Sequence, residues 1–244
     1  MESVSTTSTP SAGLYGRSNA EAERIPSGPK RGPVRKLVAA GVFPLGLGGD
    51  HSVTLAELRA LARKHGQLAL VQLDAHGDMW DEYFGQRFFH GTTFKRAVEE
   101  GLIEPEASVQ AGLRGSVYGA EDLESARQLG FAVLPCDHLR TLGPGGFSGV
   151  VRERAGRRPV FLSFDIDVLD PAFAPGTGTP EVGGLSTAEA LSFLRALRGV
   201  DLAGADVVEV SPPYDGPGQQ TALAAANVAY ELLSLRALGS GTAS

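Results

Sequence analysis

Residues 70–80 read LVQLDAHGDMW, an apolar run followed by ionisable side chains at alternate positions. Asp74, His76 and Asp78 stand two residues apart, a spacing that places side chains on one face of an extended segment. An unpaired carboxylate inside a protein is costly or takes up a proton. The stretch therefore predicts a buried strand whose carboxyl end meets a group of opposite charge, most simply a cation.

A second apolar run, PVFLSFDID at 159–167, ends in the same way, with Asp165 and Asp167 two residues apart. Around these runs, short apolar segments alternate with segments whose apolar residues recur every three or four positions. Strands that are apolar on both faces are typical of a parallel sheet covered by helices on both sides. We therefore predict an α/β protein whose two acidic motifs stand at the carboxyl ends of strands, where such folds bind ligands.

The predicted strands and helices alternate along the chain. The strands are an apolar run near 37–47 and the segments 68–73, 107–114, 131–135, 159–167 and 202–210. The helices are 53–66, 92–101, 119–130, a weaker helix after 135, 187–199 and 220–238. Gly66 is expected to end the first of these helices. Ser186 and Glu189 have the spacing of a capping box at the start of the helix at 187.

A metal site is the simplest explanation of the acidic motifs. Together with the histidine of GGDHS at 48–52, they provide two imidazoles and four carboxylates without a thiolate. The six residues are His51, Asp74, His76, Asp78, Asp165 and Asp167. Such a hard, oxygen-rich set suits Mn²⁺ better than a structural Zn²⁺. Four carboxylates balance two divalent ions, and Asp74 and Asp165 could bridge them.

Other polar residues at strand ends have simpler interpretations. A lone Asp in such a place usually caps a helix, so Asp50 and Asp170 stay outside the predicted metal set. The glycine-rich stretches beside the motifs lack the Lys-Ser/Thr ending of a nucleotide-binding loop. Four further residues of ligand type are interpreted as bystanders: His65, Cys136, Asp137 and His138.

The composition disfavours several kinds of partner. The formal net charge is -6, the pI is near 5.4 and the 22 Lys and Arg are scattered, so neither nucleic acid nor an anionic membrane is an expected partner. The expected partner is a small molecule. The single cysteine, Cys136, excludes an internal disulfide framework and favours a reducing, cytoplasmic location.

The pattern of the chain changes near residue 34. Residues 1–33 are rich in Ser, Thr, Pro and Gly and lack the apolar run of a signal peptide or membrane span, so we predict a poorly ordered leader. Residues 34–244 carry all the predicted elements and motifs. They are expected to form one catalytic domain, which suits their length.

Four stretches resemble the ureohydrolase family of arginases and agmatinases. They are GGDHS at 48–52, DAHGD at 74–78, SFDIDVLDPAFAPGTGTPEVGGLS at 163–186 and VVEVSPPYD at 207–215. The resemblance runs from about residue 35 to the end of the chain. HGTTFKRAVEEGL at 90–102 is similar to the agmatinase branch, which includes guanidinobutyrase, guanidinopropionase and proclavaminate amidinohydrolase. Gly77 departs from the usual DAHTD at a position that is not a ligand.

This resemblance implies an arginase-like fold with three α/β/α layers and a mostly parallel sheet. It also implies two Mn²⁺ ions, one on His51, Asp74, Asp78 and Asp165, and the other on Asp74, His76, Asp165 and Asp167. In such enzymes hydroxide held by the ions attacks a guanidinium carbon, which gives urea and a primary amine. The expected function is a binuclear manganese ureohydrolase that acts on a linear guanidino compound.

The resemblance assigns three further roles around the reacting carbon. Asp78 would help to hold the tetrahedral intermediate. Glu209 would bind the planar guanidinium through paired hydrogen bonds. His90 would pass a proton to the leaving amine, a task that suits an imidazole.

The loop after DAHGD is expected to wall the entrance and leaves the substrate open. Arg87 could pair with the carboxylate of a guanidino acid such as 4-guanidinobutanoate. Asp81 or Glu82 could instead pair with the amine of agmatine. By resemblance, the protein is also expected to form a homo-oligomer, either a trimer or a hexamer.

One departure from the family pattern leaves a second function open. Agmatinase-like chains normally carry a G-x-P-x-D-type strand and a GARFGP-like motif before GGDHS, and the predicted leader has neither. We therefore expect the first strands of the family sheet to be missing and the strand before GGDHS to form a sheet edge. The alternative function is a metal-binding but inactive homologue that acts in assembly or regulation. A single-metal deacetylase is disfavoured by Glu209 and the paired acidic motifs.

Overall fold

The computed structural model describes residues 32–117, 119 and 121–239. The predicted leader lies outside these residues except for Gly32 and Pro33, and Pro33 already begins a helix. The α-helices are α1 (Pro33–Ala39), α2 (Val53–His65), α3 (Thr93–Glu99), α4 (Glu121–Leu129), α5 (Cys136–Ala155), α6 (Thr187–Ala196) and α7 (Gln220–Gly239). The strands are β1 (Leu45–Leu47), β2 (Ala69–Leu73), β3 (Val109–Leu113), β4 (Ala132–Pro135), β5 (Val160–Asp165) and β6 (Leu202–Val208). Within the described ranges, no helix is both long enough and apolar enough to cross a membrane.

The six strands form one sheet in the order β1-β6-β5-β2-β3-β4, and each neighbouring pair is parallel. This confirms the predicted α/β fold with a parallel sheet. Strands β5 and β2, which precede the two acidic motifs, lie next to each other at the centre. Strand β1 lies at an edge of the described sheet, as predicted, and Leu47 at its end is 73% exposed.

Both faces of the sheet are buried, as the apolar runs predict. Along β2, Val71 and Leu73 pack into one apolar cluster, while Leu70, which precedes Val71, packs into another. Along β5, Leu162 and Phe161 divide between the same two clusters. Each such side chain contributes about 1.5–3 kcal/mol by leaving water. Two covered faces leave the strand ends as the place where polar groups can meet a ligand.

The predicted strand near 37–47 is wrong for most of its length. Residues Pro33–Ala39 form helix α1, and only Leu45–Leu47 pair with the sheet. Val34 and Val38 stand four residues apart and both pack into the cluster on one face of the sheet, which is helical spacing. Gly41, with φ of 78°, ends this helix and separates it from the strand.

The predicted helix ends are confirmed. Gly66 follows α2 with φ of 75°, and its amide donates to the carbonyl of Ala62. The Ser186 side chain accepts a hydrogen bond from the Glu189 amide, and Glu189 bonds back to Ser186, which completes the capping box of α6. Helix α6 thereby begins next to Leu185, whose amide donates to the Val168 carbonyl beside the second acidic motif.

Candidate metal centre

The two acidic motifs meet because β2 and β5 are neighbours. Their register pairs Leu73 with Phe164, so the next residue of each chain segment, Asp74 or Asp165, emerges at the same edge. His51 lies between β1 and α2, and its side chain is fully buried. The topology therefore brings residues from three distant parts of the sequence to one place.

One group of ligand atoms surrounds the imidazole of His51. Its Nδ1 lies 2.8 Å from Asp78 Oδ2 and 3.2 Å from both Asp74 Oδ2 and Asp165 Oδ2. The ring packs edge-on against Phe94, with 5.1 Å between the ring centroids. His51 is thus fixed with one nitrogen directed at three carboxylates.

A second group of ligand atoms surrounds His76. Its Nδ1 lies 3.0 Å from Asp167 Oδ2 and 3.6 Å from Asp74 Oδ1. Backbone amides hold these carboxylates: His76 donates to Asp74 Oδ1 at 2.6 Å, and Asp167 donates to Asp165 Oδ1 at 2.9 Å. Ala75 donates to Asp167 Oδ1 at 3.1 Å and so links the two motifs directly.

The surroundings of His51 Nδ1 fit a cation better than a hydrogen bond. This buried nitrogen has no hydrogen-bond partner of suitable geometry, although three carboxylate oxygens lie within 3.2 Å. One N–H donates to one oxygen, whereas a metal ion can accept lone pairs from all four atoms. The ligand atoms of His51, Asp74 and Asp78, and likewise those of Asp74, His76 and Asp167, lie within 4.8 Å of one another. These residues could therefore hold two cations that share Asp74.

The electrostatics of this cluster reflect an excess of negative charge. Burial alone would lower the pKa of His51, but Asp78, Asp165 and Asp74 together hold it well above its usual value. Burial raises the pKa of Asp165 well above its usual value, and Asp167 and Asp74 raise it further. Both shifts favour the uptake of positive charge, and a divalent cation would supply it without protons.

Two predicted site residues have a left-handed backbone, which costs about 1–3 kcal/mol for a residue with a side chain. They are Asp78, with φ of 51°, and Glu209, with φ of 61°. The Asp78 carbonyl accepts a hydrogen bond from the Phe94 amide at 3.1 Å, and the Glu209 amide donates to Gly49 at 2.9 Å. Such strain is concentrated at functional sites, and here both strained residues carry a carboxylate of the predicted site.

Glu209 and His90 lie beside the candidate ligand residues. Glu209 Oε1 accepts a hydrogen bond from the His51 amide at 2.7 Å. His90 Nδ1 lies 3.6 Å from the same oxygen. Burial raises the pKa of Glu209 to about 7. The site thus combines two groups of side chains that could each hold a cation with a carboxylate that can bind a cationic group and an imidazole that can carry a proton.

The sequence model of a known protein family, the arginase family, matches residues 30–234 of this chain. The chain belongs to the arginase family. Guanidinobutyrase of Pseudomonas aeruginosa is 50% identical to it over 81% of this chain, and guanidinopropionase of the same organism is 51% identical over 83%. The matches cover 62% and 64% of those relatives, so this chain spans less than two thirds of their length.

Solved structures show the same relationship for this arginase-family chain. Proclavaminate amidinohydrolase from Streptomyces clavuligerus is 44% identical and superposes with a TM-score of 0.79. The match covers 84% of this chain and 69% of the other. The resemblance predicted from the four motifs and the arginase-like fold that it implied are both confirmed.

Two glutamines support the first acidic motif, and the sequence predictions missed both. Gln72 Nε2 donates to Asp74 Oδ2 at 2.6 Å, and Gln110 Nε2 donates to Gln72 Oε1 at 2.6 Å. Gln110 also donates to the carbonyl of Gly77 at 2.7 Å. Each glutamine interrupts an otherwise apolar strand, which was the available signal. They stand opposite each other in the β2–β3 register, so their contact follows from the sheet.

Gly77, where this arginase-family chain departs from DAHTD, does not need to be glycine for reasons of space. A Cβ atom there would lie 3.7 Å from Leu113 Cδ2 and 3.8 Å from Gln110 Oε1. Both are ordinary contacts. Nothing in the structure explains why this position lacks a side chain.

Two charged residues of the loop after DAHGD, Arg87 and Asp81, are engaged with other side chains. Arg87, 61% exposed, lies 3.3 Å from Glu99, and Asp81 accepts a hydrogen bond from the buried Arg96 at 2.6 Å. Glu82 is exposed. The structure therefore places the three predicted substrate contacts in the loop without directing Arg87 or Asp81 at the metal-ligand residues.

Three residues that were kept outside the predicted metal set, Asp50, Asp170 and Cys136, lie at turns or at the start of a helix. Asp50 Oδ1 accepts from the Ser52 amide at 3.0 Å, and Asp170 Oδ2 accepts from the Gly183 amide at 2.7 Å. Cys136 is buried, with Sγ 3.5 Å from the Gly183 carbonyl. None of these three residues belongs to either group of possible ligands found among the described residues.

Behind His51 lies a buried chain of hydrogen bonds, here called the Asp206 network and made of His51, Ser163, Asp206 and Thr54. His51 Nε2 is 2.8 Å from Ser163 Oγ. Ser163 donates to Asp206 Oδ1 at 2.7 Å, and Thr54 donates to Asp206 Oδ2 at 2.5 Å. Asp206 stands within an apolar strand, so its position was the only signal of this network in the sequence.

Glu57 is a buried acid next to the Asp206 network. It is 7% exposed, and its Oε2 has no hydrogen-bond partner. Burial, and then the charge of Asp206, raises the pKa of Glu57 to about 8. Burial raises the pKa of Asp206 as well, but hydrogen bonds from two hydroxyls and from the Phe164 amide oppose this shift and favour its ionised form. Because Glu57 Oε2 has no such donor, the proton of the pair is favoured on Glu57.

We expect Glu57→Gln to stabilise the protein at alkaline pH. The pKa of Glu57 rises from 4.5 to about 8 on folding, so its ionisation removes stability as pH rises through this range. Gln carries no proton to lose. The stability of the variant relative to the parent should therefore grow by about 2 kcal/mol or more between pH 6 and pH 9. Urea denaturation with a chelator present measures the free energy of unfolding at each pH.

The matched control for this prediction is Glu153→Gln, which changes an exposed glutamate of α5 in the same way. It should leave the pH dependence of the parent unchanged. If Glu57→Gln and the parent lose stability equally between the two pH values, Glu57 is not the group that titrates.

Proposed function

We propose that this protein is a binuclear manganese ureohydrolase that hydrolyses a linear guanidino compound to urea and a primary amine. The observation that carries this proposal is the pair of adjoining ligand groups that share Asp74, with Glu209 beside them. The names of the relatives, guanidinobutyrase and guanidinopropionase, support a guanidino substrate.

Each manganese ion would have carboxylate and imidazole ligands from this chain. One would be held by His51, Asp74, Asp78 and Asp165, and the other by Asp74, His76, Asp165 and Asp167. When bound, such ions act as Lewis acids that lower the pKa of water to near neutrality. The absence of a thiolate and the predominance of oxygen ligands favour manganese over zinc.

The remaining residues of the site would bind and orient the substrate. Glu209, fixed by the His51 amide, would accept hydrogen bonds from the planar guanidinium. Asp78, whose backbone is held by Phe94, would stabilise the tetrahedral carbon through its carboxylate. His90, 3.6 Å from Glu209, would donate a proton to the amine nitrogen as the C–N bond breaks.

The substrate in this proposal is agmatine or a guanidino acid such as 4-guanidinobutanoate. Relatives of both kinds match the chain, since an agmatinase of Gallus gallus is 47% identical over 82% of it. A guanidino acid would require Arg87 to exchange its contact with Glu99 for the substrate carboxylate. Agmatine would instead bring an amine to the loop that carries Asp81 and Glu82.

The test is urea release by the protein loaded with Mn²⁺. Agmatine, 4-guanidinobutanoate, 3-guanidinopropanoate and arginine are each supplied, and chelated protein serves as the control. We expect urea from agmatine or from one of the two guanidino acids, and only with metal. Two bound ions without urea from any of the four compounds would overturn the proposal in favour of an inactive, metal-binding homologue.

His90→Ala should lower urea release by about 100-fold, because general acid catalysis typically contributes on this scale. The variant should still bind manganese with the parent's stoichiometry, since His90 is not one of the ligand residues. Steady-state kinetics and metal analysis measure the two quantities. The control, His138→Ala, removes an exposed histidine on α5 and should change neither. Unchanged turnover in His90→Ala would exclude the proton transfer.

The same proposal extends to the setting of the enzyme. Residues 34–244 would be the catalytic domain, and the protein would act in the cytoplasm as a homo-oligomer without a nucleic acid or membrane partner. The buried free thiol of Cys136 and the acidic net charge of -6 support this setting.

A further inference from the structure

The two ring nitrogens of His51 have different surroundings. Nδ1 faces the carboxylates of Asp74, Asp78 and Asp165, whereas Nε2 faces the hydroxyl of Ser163 at 2.8 Å. An imidazole binds a metal through a nitrogen that carries no proton, so the proton of neutral His51 must then sit on Nε2. We infer that Asp206, which does not touch His51, is the positioning residue that keeps it there.

Asp206 acts through the direction of one hydroxyl proton. The Ser163 hydroxyl has a single proton, which it donates to Asp206 Oδ1 at 2.7 Å. Its oxygen is left as an acceptor for His51 Nε2–H. If the hydroxyl turned round and donated to Nε2, the proton of His51 would move to Nδ1 and face the metal position. The Asp206 network therefore selects the tautomer that can bind a metal.

The acceptor role of Asp206 is fixed from two other sides. Thr54 donates to Oδ2 at 2.5 Å, and the Phe164 amide, which cannot accept, also donates to this carboxylate. Asp206, Ser163 and Thr54 are all fully buried, so water does not compete for these bonds. Partners of this kind, one bond removed from a metal ligand, commonly change metal affinity by 10–100-fold when they are replaced.

A pair of variants isolates the role of Asp206. In Thr54→Val the shape of the side chain is kept and one donor to Asp206 is lost, while the direction of Ser163 is unchanged. In Thr54→Val/Asp206→Asn the amide of the new Asn has no acceptor at residue 54, so it turns toward Ser163 and reverses the hydroxyl. The first variant is the matched background for the second.

The measurement is Mn²⁺ binding by calorimetry, together with the electron paramagnetic resonance of the bound manganese. This inference rests on the metal site of the proposed function, but its readout is manganese affinity. The inference can therefore fail in a protein that releases urea, and it can hold in a protein that releases none. Thr54→Val should bind manganese within about threefold of the parent. The double variant should lose 10–100-fold in affinity for one ion and replace the signal of a coupled pair by that of isolated manganese. Equal affinities in the two variants would overturn the inference.

A third change tests whether Asp206 acts through Ser163. In proteins that also carry Ser163→Ala, no hydroxyl can be reversed, so adding Asp206→Asn should cost less than about twofold in affinity. A loss as large as that in the presence of Ser163 would show a general structural effect instead, and would overturn the inference. If circular dichroism shows that the double variant does not fold, Ser163→Ala alone decides. This variant should lower the affinity for one manganese ion by tenfold or more. Unchanged affinity would contradict the role of the Asp206 network.

Discussion

Asp165→Asn should remove manganese binding and lower urea release by at least about 1000-fold, the largest loss of activity that we expect from a single substitution. Asp165 is the last residue of β5 and lies 3.2 Å from His51 Nδ1, beside Asp74 of the neighbouring strand. In the proposed assignment it serves both ions. Asn keeps the size and one oxygen of the side chain but loses the negative charge and the second oxygen.

The same variant should be at least as stable as the parent when both are free of metal. Burial, and then Asp167 and Asp74, raise the pKa of Asp165, which shows that its charge is unfavourable in the folded protein. Asn removes that charge and can still accept the hydrogen bond that the Asp167 amide donates to Oδ1. Loss of activity together with retained stability would separate a functional carboxylate from a structural one.

Thermal unfolding with and without Mn²⁺ measures both manganese binding and the stability of the metal-free protein. A ligand at 100 times its Kd adds about 2.7 kcal/mol to the stability of the state that binds it. The parent should show this increase and Asp165→Asn should not. Asp170→Asn is the control, since Asp170 belongs to the same segment but holds the Gly183 turn. Manganese that stabilised Asp165→Asn as much as the parent would contradict the assignment of this ligand.

The sequence was sufficient to predict the sheet and the gathering of acidic and histidine side chains at its edge because both follow from local patterns. Two apolar runs, each ending in alternating acids, identify two buried strands, and a parallel sheet brings their carboxyl ends to one edge. The structure adds the register of Leu73 with Phe164, which places Asp74 beside Asp165. This register is set by packing over the whole sheet and has no signature in either strand alone.

The features that were missed depend on contacts between distant residues. Gln72 and Gln110 are 38 positions apart, and Asp206 meets Ser163 across 43 positions. Nothing in the neighbourhood of each residue distinguishes a buried polar partner from an isolated polar side chain. The error at α1 has a local cause, since Val34 and Val38 are spaced for a helix while the next apolar residues belong to a strand. The apolar run continues from one into the other, and the residue that marks the boundary is Gly41, which ends the helix.

Glu209→Gln should lower kcat/KM for the guanidino substrate by about 100-fold or more, since a charge-assisted, bidentate contact with the guanidinium would become a neutral one. The position of the side chain should be retained. Glu209 Oε1 accepts from the His51 amide at 2.7 Å, and the amide oxygen of Gln can accept the same bond. The left-handed backbone of residue 209, with φ of 61°, is held by the hydrogen bond that its amide donates to the Gly49 carbonyl and does not depend on the charge.

Manganese affinity is the quantity that distinguishes this role from damage to the metal centre. Because Glu209 is not in either ligand group, Glu209→Gln should bind both ions as the parent does, while inhibition by free guanidinium ion weakens in parallel with kcat/KM. Glu153→Gln, on the exposed side of α5, should change none of these values. A variant that lost manganese would place Glu209 among the residues that build the metal centre. If it instead kept both manganese and full kcat/KM, the carboxylate would not be the one that binds the guanidinium, and the buried charge beside His51 would need another partner.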